Sequence, residues 1–176
     1  MAQRDEAKPK GATRAKARRD AQGALLQVAA LPVRRDAEGA WRLLLVTSRE
    51  TRRWVVPKGW PMKGLKDRKA AGLEAKQEAG VVGRVGKAPL GSYLYWKRRS
   101  DRFDLCRVEV YRLDVERQLT RWKEKGQREA RWFTPDEAAL SVDEPGLTAL
   151  LQGLDLDLDE RGAGHTKGAG PRTAGG

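Results

Sequence analysis

Glu74, Gln77 and Glu78 stand close together within WVVPKGWPMKGLKDRKAAGLEAKQEAGV, the stretch from Trp54 to Val81. Residues four apart share a helix face, so a helix here would align Glu74 with Glu78 and place Gln77 beside them. Two carboxylates one turn apart, next to a glycine-bearing loop, can hold a hard divalent cation such as Mg²⁺ or Mn²⁺. The same pattern on an arbitrary helix would be a solvated charged face. Here Arg49, Arg52, Arg53 and Lys58 lead into the stretch. Cations followed by carboxylates make a two-signed site: phosphate oxygens would meet the former, while a metal joins the same phosphates to the latter.

The elements that must position these groups are legible around them. Trp54–Val56 reads as a short strand, and Pro57-Lys58-Gly59 begins a loop that continues through Gly64 and Leu65. Asp67 is placed to cap the helix, and Gly80 to close it in the left-handed conformation that a side chain resists. Alanines, lysines, a leucine and glutamates fill the interval, all good helix formers. Lys66, Arg68 and Lys69 open the helix where its dipole prefers anions, which suits either a bound anion or simple surface drift.

The arrangement of Gly59, Glu74, Glu78, Gly80 and Val81 resembles the Nudix box. That family's pattern is Gly-x5-Glu-x7-Arg-Glu-U-x-Glu-Glu-x-Gly-U, with U apolar. Gly59, Glu74, Glu78 and Gly80-Val81 match it in spacing. Leu65 stands where the first Glu is expected, Leu73 replaces the Arg, and Gln77 replaces the first Glu of the pair. The PKGWP loop is similar to a subgroup related to diphosphoinositol polyphosphate and diadenosine polyphosphate hydrolases. The resemblance implies an α/β/α sandwich around a mixed β-sheet. It also implies a Mg²⁺- or Mn²⁺-dependent pyrophosphohydrolase whose ligands are Glu74, Glu78 and the Gly59 carbonyl, with either glutamate acting as base. Gln77 could still orient a ligand through its carbonyl, but it carries no charge. A further metal-binding Glu is expected in the loop before Gly126-Gln127. Glu124 is the nearest candidate, with a solvated loop residue as its bland alternative and Glu129 as a weaker one.

With 176 residues the chain supports one domain plus tails. Lys and Arg number 36 against 24 Asp and Glu, a formal net charge of +12. This balance favours polyanionic partners, whether phosphorylated small molecules, nucleic acid or an acidic membrane surface, and charge alone does not choose among them. Cys106 is the single cysteine, which rules out an internal disulfide framework and suits a reducing cytoplasmic setting. Its alternating apolar neighbours mark a buried structural thiol. The single histidine, His165, lies in a Gly-rich tail, so histidine-based triads and multi-histidine zinc sites are excluded. No run is apolar for long enough to form a membrane helix.

Residues 1–22 are basic and lack large apolar side chains after Met1, which predicts a disordered arm. The domain is expected over residues 23–153. ALLQVAALPV (24–33) and WRLLLVTS (41–48) read as a strand hairpin about the turn at Asp36–Gly39, with Pro32 suggesting an edge or a bulge. Residues 81–87, 90–96 and 103–113 read as further strands, and 114–127 as a polar connection. Tyr93, Tyr95 and Trp96 read as core and sheet-face aromatics, although they could stack on a base. Thr134, Pro135 and Glu137 spell a capped helix, in a WFTPDEA phrase that recurs in the Nudix family. A Leu-rich helix follows over 144–152. Residues 154–160 alternate, leaving a strand or a frayed end open, and the tail from 154 to 176 is expected to be disordered. The rival to the enzyme is a Nudix scaffold with a decayed box that binds nucleotide, polyphosphate or RNA through its basic loops.

Overall fold

A computed structural model describes residues 17–157. The chain order is β1 (Leu25–Arg35), β2 (Trp41–Thr47), β3 (Trp54–Val55), β4 (Lys58–Gly59), α1 (Asp67–Ala79), β5 (Val81–Val85), β6 (Gly91–Arg98), β7 (Phe103–Gln118), β8 (Ala130–Phe133), α2 (Pro135–Ser141) and α3 (Pro145–Gln152). One sheet contains all eight strands. Its main path is β3-β2-β1-β7-β5, with β4 on β1, β6 on β7 and β8 on β2. The β1–β7 pair is parallel and the other pairs are antiparallel, so the sheet is mixed, as the resemblance implied.

Strand β1 is apolar almost throughout because both of its faces are covered. Side chains alternate across a strand. Val28 and Ala30, with Leu44 and Val46 of β2, meet the alanine face of α1 (Ala70, Ala71, Ala75, Ala79). Ala29, Leu31 and Val33, with Leu43 and Leu45, face the opposite way and pack under Ala138, Ala139, Leu147 and Leu151 of α2 and α3. The result is three layers with the sheet in the middle. Alanines on α1 let the helix backbone lie close to the sheet, and that closeness carries Glu74 and Glu78 to the sheet's edge.

Pro32 is central rather than at an edge or a bulge. It lies within the unbroken parallel register from Leu25–Cys106 to Val33–Asp114. Its nitrogen faces the other flank, between the β4 pairing that ends at Ala29 and the β2 pairing that begins at Val33, so no ladder bond is lost there. Strand β7 runs on to Gln118, five residues beyond the expected 113, because β5 pairs with residues 113–118. The first residue of α1 is Asp67, and the capping position is Lys66, which has no side-chain cap. Asp67 is instead held by Arg18 at 2.6 Å. Thr134 and Glu137 form the expected capping box.

Contacts with the domain are also made by residues on either side of 23–153. Asp20 accepts from Arg107 at 2.6 Å, and Leu156 is buried against the core with its carbonyl bound to Arg112. The backbone at 156–157 is helical rather than extended. The rest of the two predicted tails, His165 included, lies outside the described residues. Cys106 is buried, as expected for a structural thiol. Tyr93 is likewise in the core, but Trp96 is exposed.

Gly80 ends α1 at φ 67°, in the left-handed region, and the Trp122 ring packs where a Cβ would be. A Gly80→Ala substitution should cost about 1–2 kcal/mol from the backbone alone, and more from displacing the ring. Urea unfolding in a Trp122→Ala background should show only the smaller part; an undiminished loss there would remove the role assigned to the ring.

Candidate functional site

The site forms where the loop after β3, the inner edge of α1 and the loop between β7 and β8 meet. The Glu74 carboxylate rests against the backbone of β4 at Gly59, so a Cβ at this position would push it aside. Among the described residues that carboxylate has no hydrogen bond or ion pair. Burial raises the Glu74 carboxyl above its ordinary range, and the nearby Glu124 raises it further.

One turn on, Glu78 is 7% exposed and fully engaged. The Lys58 backbone N–H donates to its Oε2 at 3.1 Å, and Arg128 Nη2 donates to its Oε1 at 2.7 Å. Burial still pushes the Glu78 carboxyl up to about 7, against the opposing pull of Arg128. Arg128 also donates from Nε to Glu124 Oε2 at 2.5 Å and from Nη1 to the Thr47 carbonyl at 3.0 Å. Glu124 is therefore not the solvated loop glutamate of the bland reading. It is 13% exposed and tied into the cluster, with Arg49 approaching its other oxygen at 3.8 Å.

The loop that carries Glu124 is docked on the end of α1. The Glu124 N–H donates to the Gln77 carbonyl at 3.0 Å, and Leu119 N–H donates to the Gly80 carbonyl at 2.7 Å. The Gln77 side chain turns towards Lys123, whose Nζ donates to Oε1 at 3.4 Å.

The four cations expected to bind phosphate separate. Arg49 stands beside Glu124. Arg52, at φ 57°, donates to the Gln127 carbonyl at 3.2 Å. Arg53 turns to the start of α3, pairing with Glu144 at 3.4 Å and Asp143 at 3.9 Å. The Lys58 ammonium lies 5.1 Å from the centre of the Tyr95 ring, and burial lowers its pKa despite Glu78 nearby. A cleft of about 880 Å³ is lined by Trp60, Lys63, Arg99 and Arg102 together with Asp101 and Asp104, and by none of Gly59, Glu74, Glu78 or Glu124.

Among the described residues, no three His, Cys, Asp or Glu side chains converge as a ready metal cage. The reason is visible in the contacts: Glu78 and Glu124 close on the Arg128 guanidinium. What does converge is the unpartnered Glu74 carboxylate, the backbone of Gly59 and the neighbouring Glu78. That donor set suits an ion such as Mg²⁺, which takes one or two carboxylates and fills its shell with water and phosphate oxygens. The residues present fit one such ion.

This fold and this glycine-to-glutamate site define a known class. Residues 25–152 match the NUDIX domain, and the chain belongs to that family. Among its relatives are two Arabidopsis thaliana proteins, Nudix hydrolase 13, mitochondrial, and Nudix hydrolase 16, mitochondrial. The first is 31% identical over 112 residues, covering 58% of this chain and 54% of the relative. The second is 33% identical over 118 residues, covering 64% and 65%. The chain thus spans from about half to just under two thirds of the length of these relatives. Similar solved structures include a C. elegans Ap4A hydrolase binary complex, with TM-score 0.55 and 18% identity over 72% of this chain and 92% of that one. The NUDIX domain of Shewanella oneidensis NrtR complexed with ADP ribose has TM-score 0.54 and 14% identity over 74% and 86%. At these identities the structures speak for the fold. Among the described residues no helix is long and apolar enough to cross a membrane.

Sequence reasoning missed Arg128 and Trp122. The only signal for Arg128 was a Glu124–Arg128 spacing of four outside any helix; Trp122 had none beyond its size.

Burial of the Glu78 carboxyl gives the metal-free protein a pH-dependent contribution to stability. The carboxyl's folded pKa of about 7 lies above the ordinary 4.5, so the folded state binds the proton more tightly than the unfolded one. Its contribution is therefore fully present below pH 4.5 and is lost as the pH rises through 7. Chemical unfolding of the chelated protein should show stability falling across that window, and Glu78→Gln should flatten the slope. An equal slope in the variant would assign the titration elsewhere.

Proposed function

We propose that the protein hydrolyses a diphosphate linkage in a nucleotide-derived or polyphosphorylated small molecule, with a divalent metal as cofactor. The observation that carries this reading is Glu74: a half-buried carboxylate with no hydrogen bond or ion pair, resting against the Gly59 backbone. Glu74, the Gly59 carbonyl and Glu78 would hold Mg²⁺ or Mn²⁺. When bound, the ion supplies positive charge to the diphosphate oxygens and acidifies a water.

The protein's own groups do the rest. Each Glu78 oxygen retains acceptor capacity beside its hydrogen bond. Either Glu74 or Glu78 could accept a proton, since burial raises both carboxyls in the metal-free protein and a bound cation would lower both. Arg49 and Arg52, exposed at the rim, are placed to meet phosphate oxygens; Arg53 and Lys58 reach phosphate only from their present partners, Glu144 and the Tyr95 ring. The concentration of cations around Gly59, Lys58 and Lys63 among them, favours a substrate with several phosphates. The relatives' names place those proteins in mitochondria; for this chain the cytoplasmic reading rests on its single cysteine.

The alternative, a binding module with a decayed box, draws on the Arg128 clamp and on the neutral Gln77. The two readings part in one assay. Phosphate release from a panel of diphosphate substrates should require Mg²⁺ or Mn²⁺ and fall at least ~100-fold in Glu74→Gln. Gln77→Glu should raise metal-dependent turnover. Silence across the panel, with ligands still shifting the melting temperature, would establish the binding module instead.

A further inference from the structure

We infer that Arg128 is a resident cation standing where a second divalent ion would bind, so that this site works with a single ion on its Glu74 side. The inference rests on the metal-dependent reading above. All three guanidinium nitrogens are committed: Nε to Glu124 at 2.5 Å, Nη2 to Glu78 at 2.7 Å and Nη1 to the Thr47 carbonyl at 3.0 Å. The side chain is 9% exposed, and the two carboxylates it joins are 8% and 13% exposed. An ion bridging Glu78 and Glu124 would need their oxygens to converge on it. They converge on the guanidinium.

Arg128 is not easily displaced. Arginine cannot shed its proton, and withdrawing it would strip a buried charge of its acceptors while leaving the Thr47 carbonyl unmet. Glu74, by contrast, has nothing to give up. The box sequence points the same way. Leu73 stands where the family's pattern has Arg, and Gln77 where it has Glu. One cation and one carboxylate are missing from the helix, and a cation is supplied from the loop before β8.

Mn²⁺ binding to the full chain, followed by calorimetry and by the electron paramagnetic resonance of the free ion, tests this without reference to activity. Wild type should bind one Mn²⁺ per chain, and Glu74→Gln should lose it. Arg128→Met, of similar bulk but neutral, should bind two. Two ions in wild type, or still one in Arg128→Met, would overturn the inference and leave the hydrolase reading standing. If Arg128→Met does not fold, Glu124→Gln decides: one retained ion supports the assignment of Glu124 to Arg128, and loss of the ion refutes it. No binding to any form would sink the metal-dependent reading, and this inference with it.

Discussion

Glu78 is a carboxylate taken out of water on a helix that the fold cannot move, and the local structure is built to meet that demand. A buried charge is tolerated only with a partner and with its remaining lone pairs satisfied. The Arg128 guanidinium and the Lys58 amide provide both, and in doing so they fix the mutual positions of α1, β4, the end of β2 and the loop before β8. Loops are ordinarily the least constrained parts of a domain. This one is pinned by a charge at one end and by Trp122 over Gly80 at the other.

The sheet makes the arrangement possible. Because β1 and β2 are covered on both faces, α1 rests on a rigid floor of Val28, Ala30, Leu44 and Val46. The helix's alanines bring its axis close to that floor. Its acidic edge then overhangs β4, where the lack of a side chain at Gly59 lets Glu74 lie against the backbone. Small residues on the helix and at Gly59 thus serve one geometric end, the approach of a carboxylate to a backbone.

Much of this was legible in the residues. The continuous apolar runs of β1 and β2, the spacing from Gly59 to Gly80, and the capping box at Thr134 each have a local physical cause that survives into the fold. What escaped notice had non-local causes. Arg117 and Gln118 look like loop residues, yet they extend β7 because β5 returns to pair with them. Pro32 reads as an edge residue unless the gap between two partners of β1 is known. The cation missing at Leu73 suggested an unsupported carboxylate on the helix; Arg128 supports one from a segment fifty residues away, at a spacing no helical or strand period would reveal. Asp67 looked like a cap, and Arg18, in what composition marked as a tail, drew it into an ion pair instead.

The parallel pairing of β1 with β7 bears on how the protein reaches this state. Leu25 pairs with Cys106 and Val33 with Asp114, so the central ladder joins segments far apart in the chain. Closing such a pair costs loop entropy before the contact repays it, and folds dominated by distant pairings form slowly. During synthesis β1 emerges before the other strands, apolar on both faces, and β2, β4 and α1 are near enough in sequence to shield part of it. Until residues 103–118 arrive, one flank of the most hydrophobic strand is an open edge, the kind of surface on which chains aggregate. The strand that anchors the finished sheet is also its principal hazard on the ribosome.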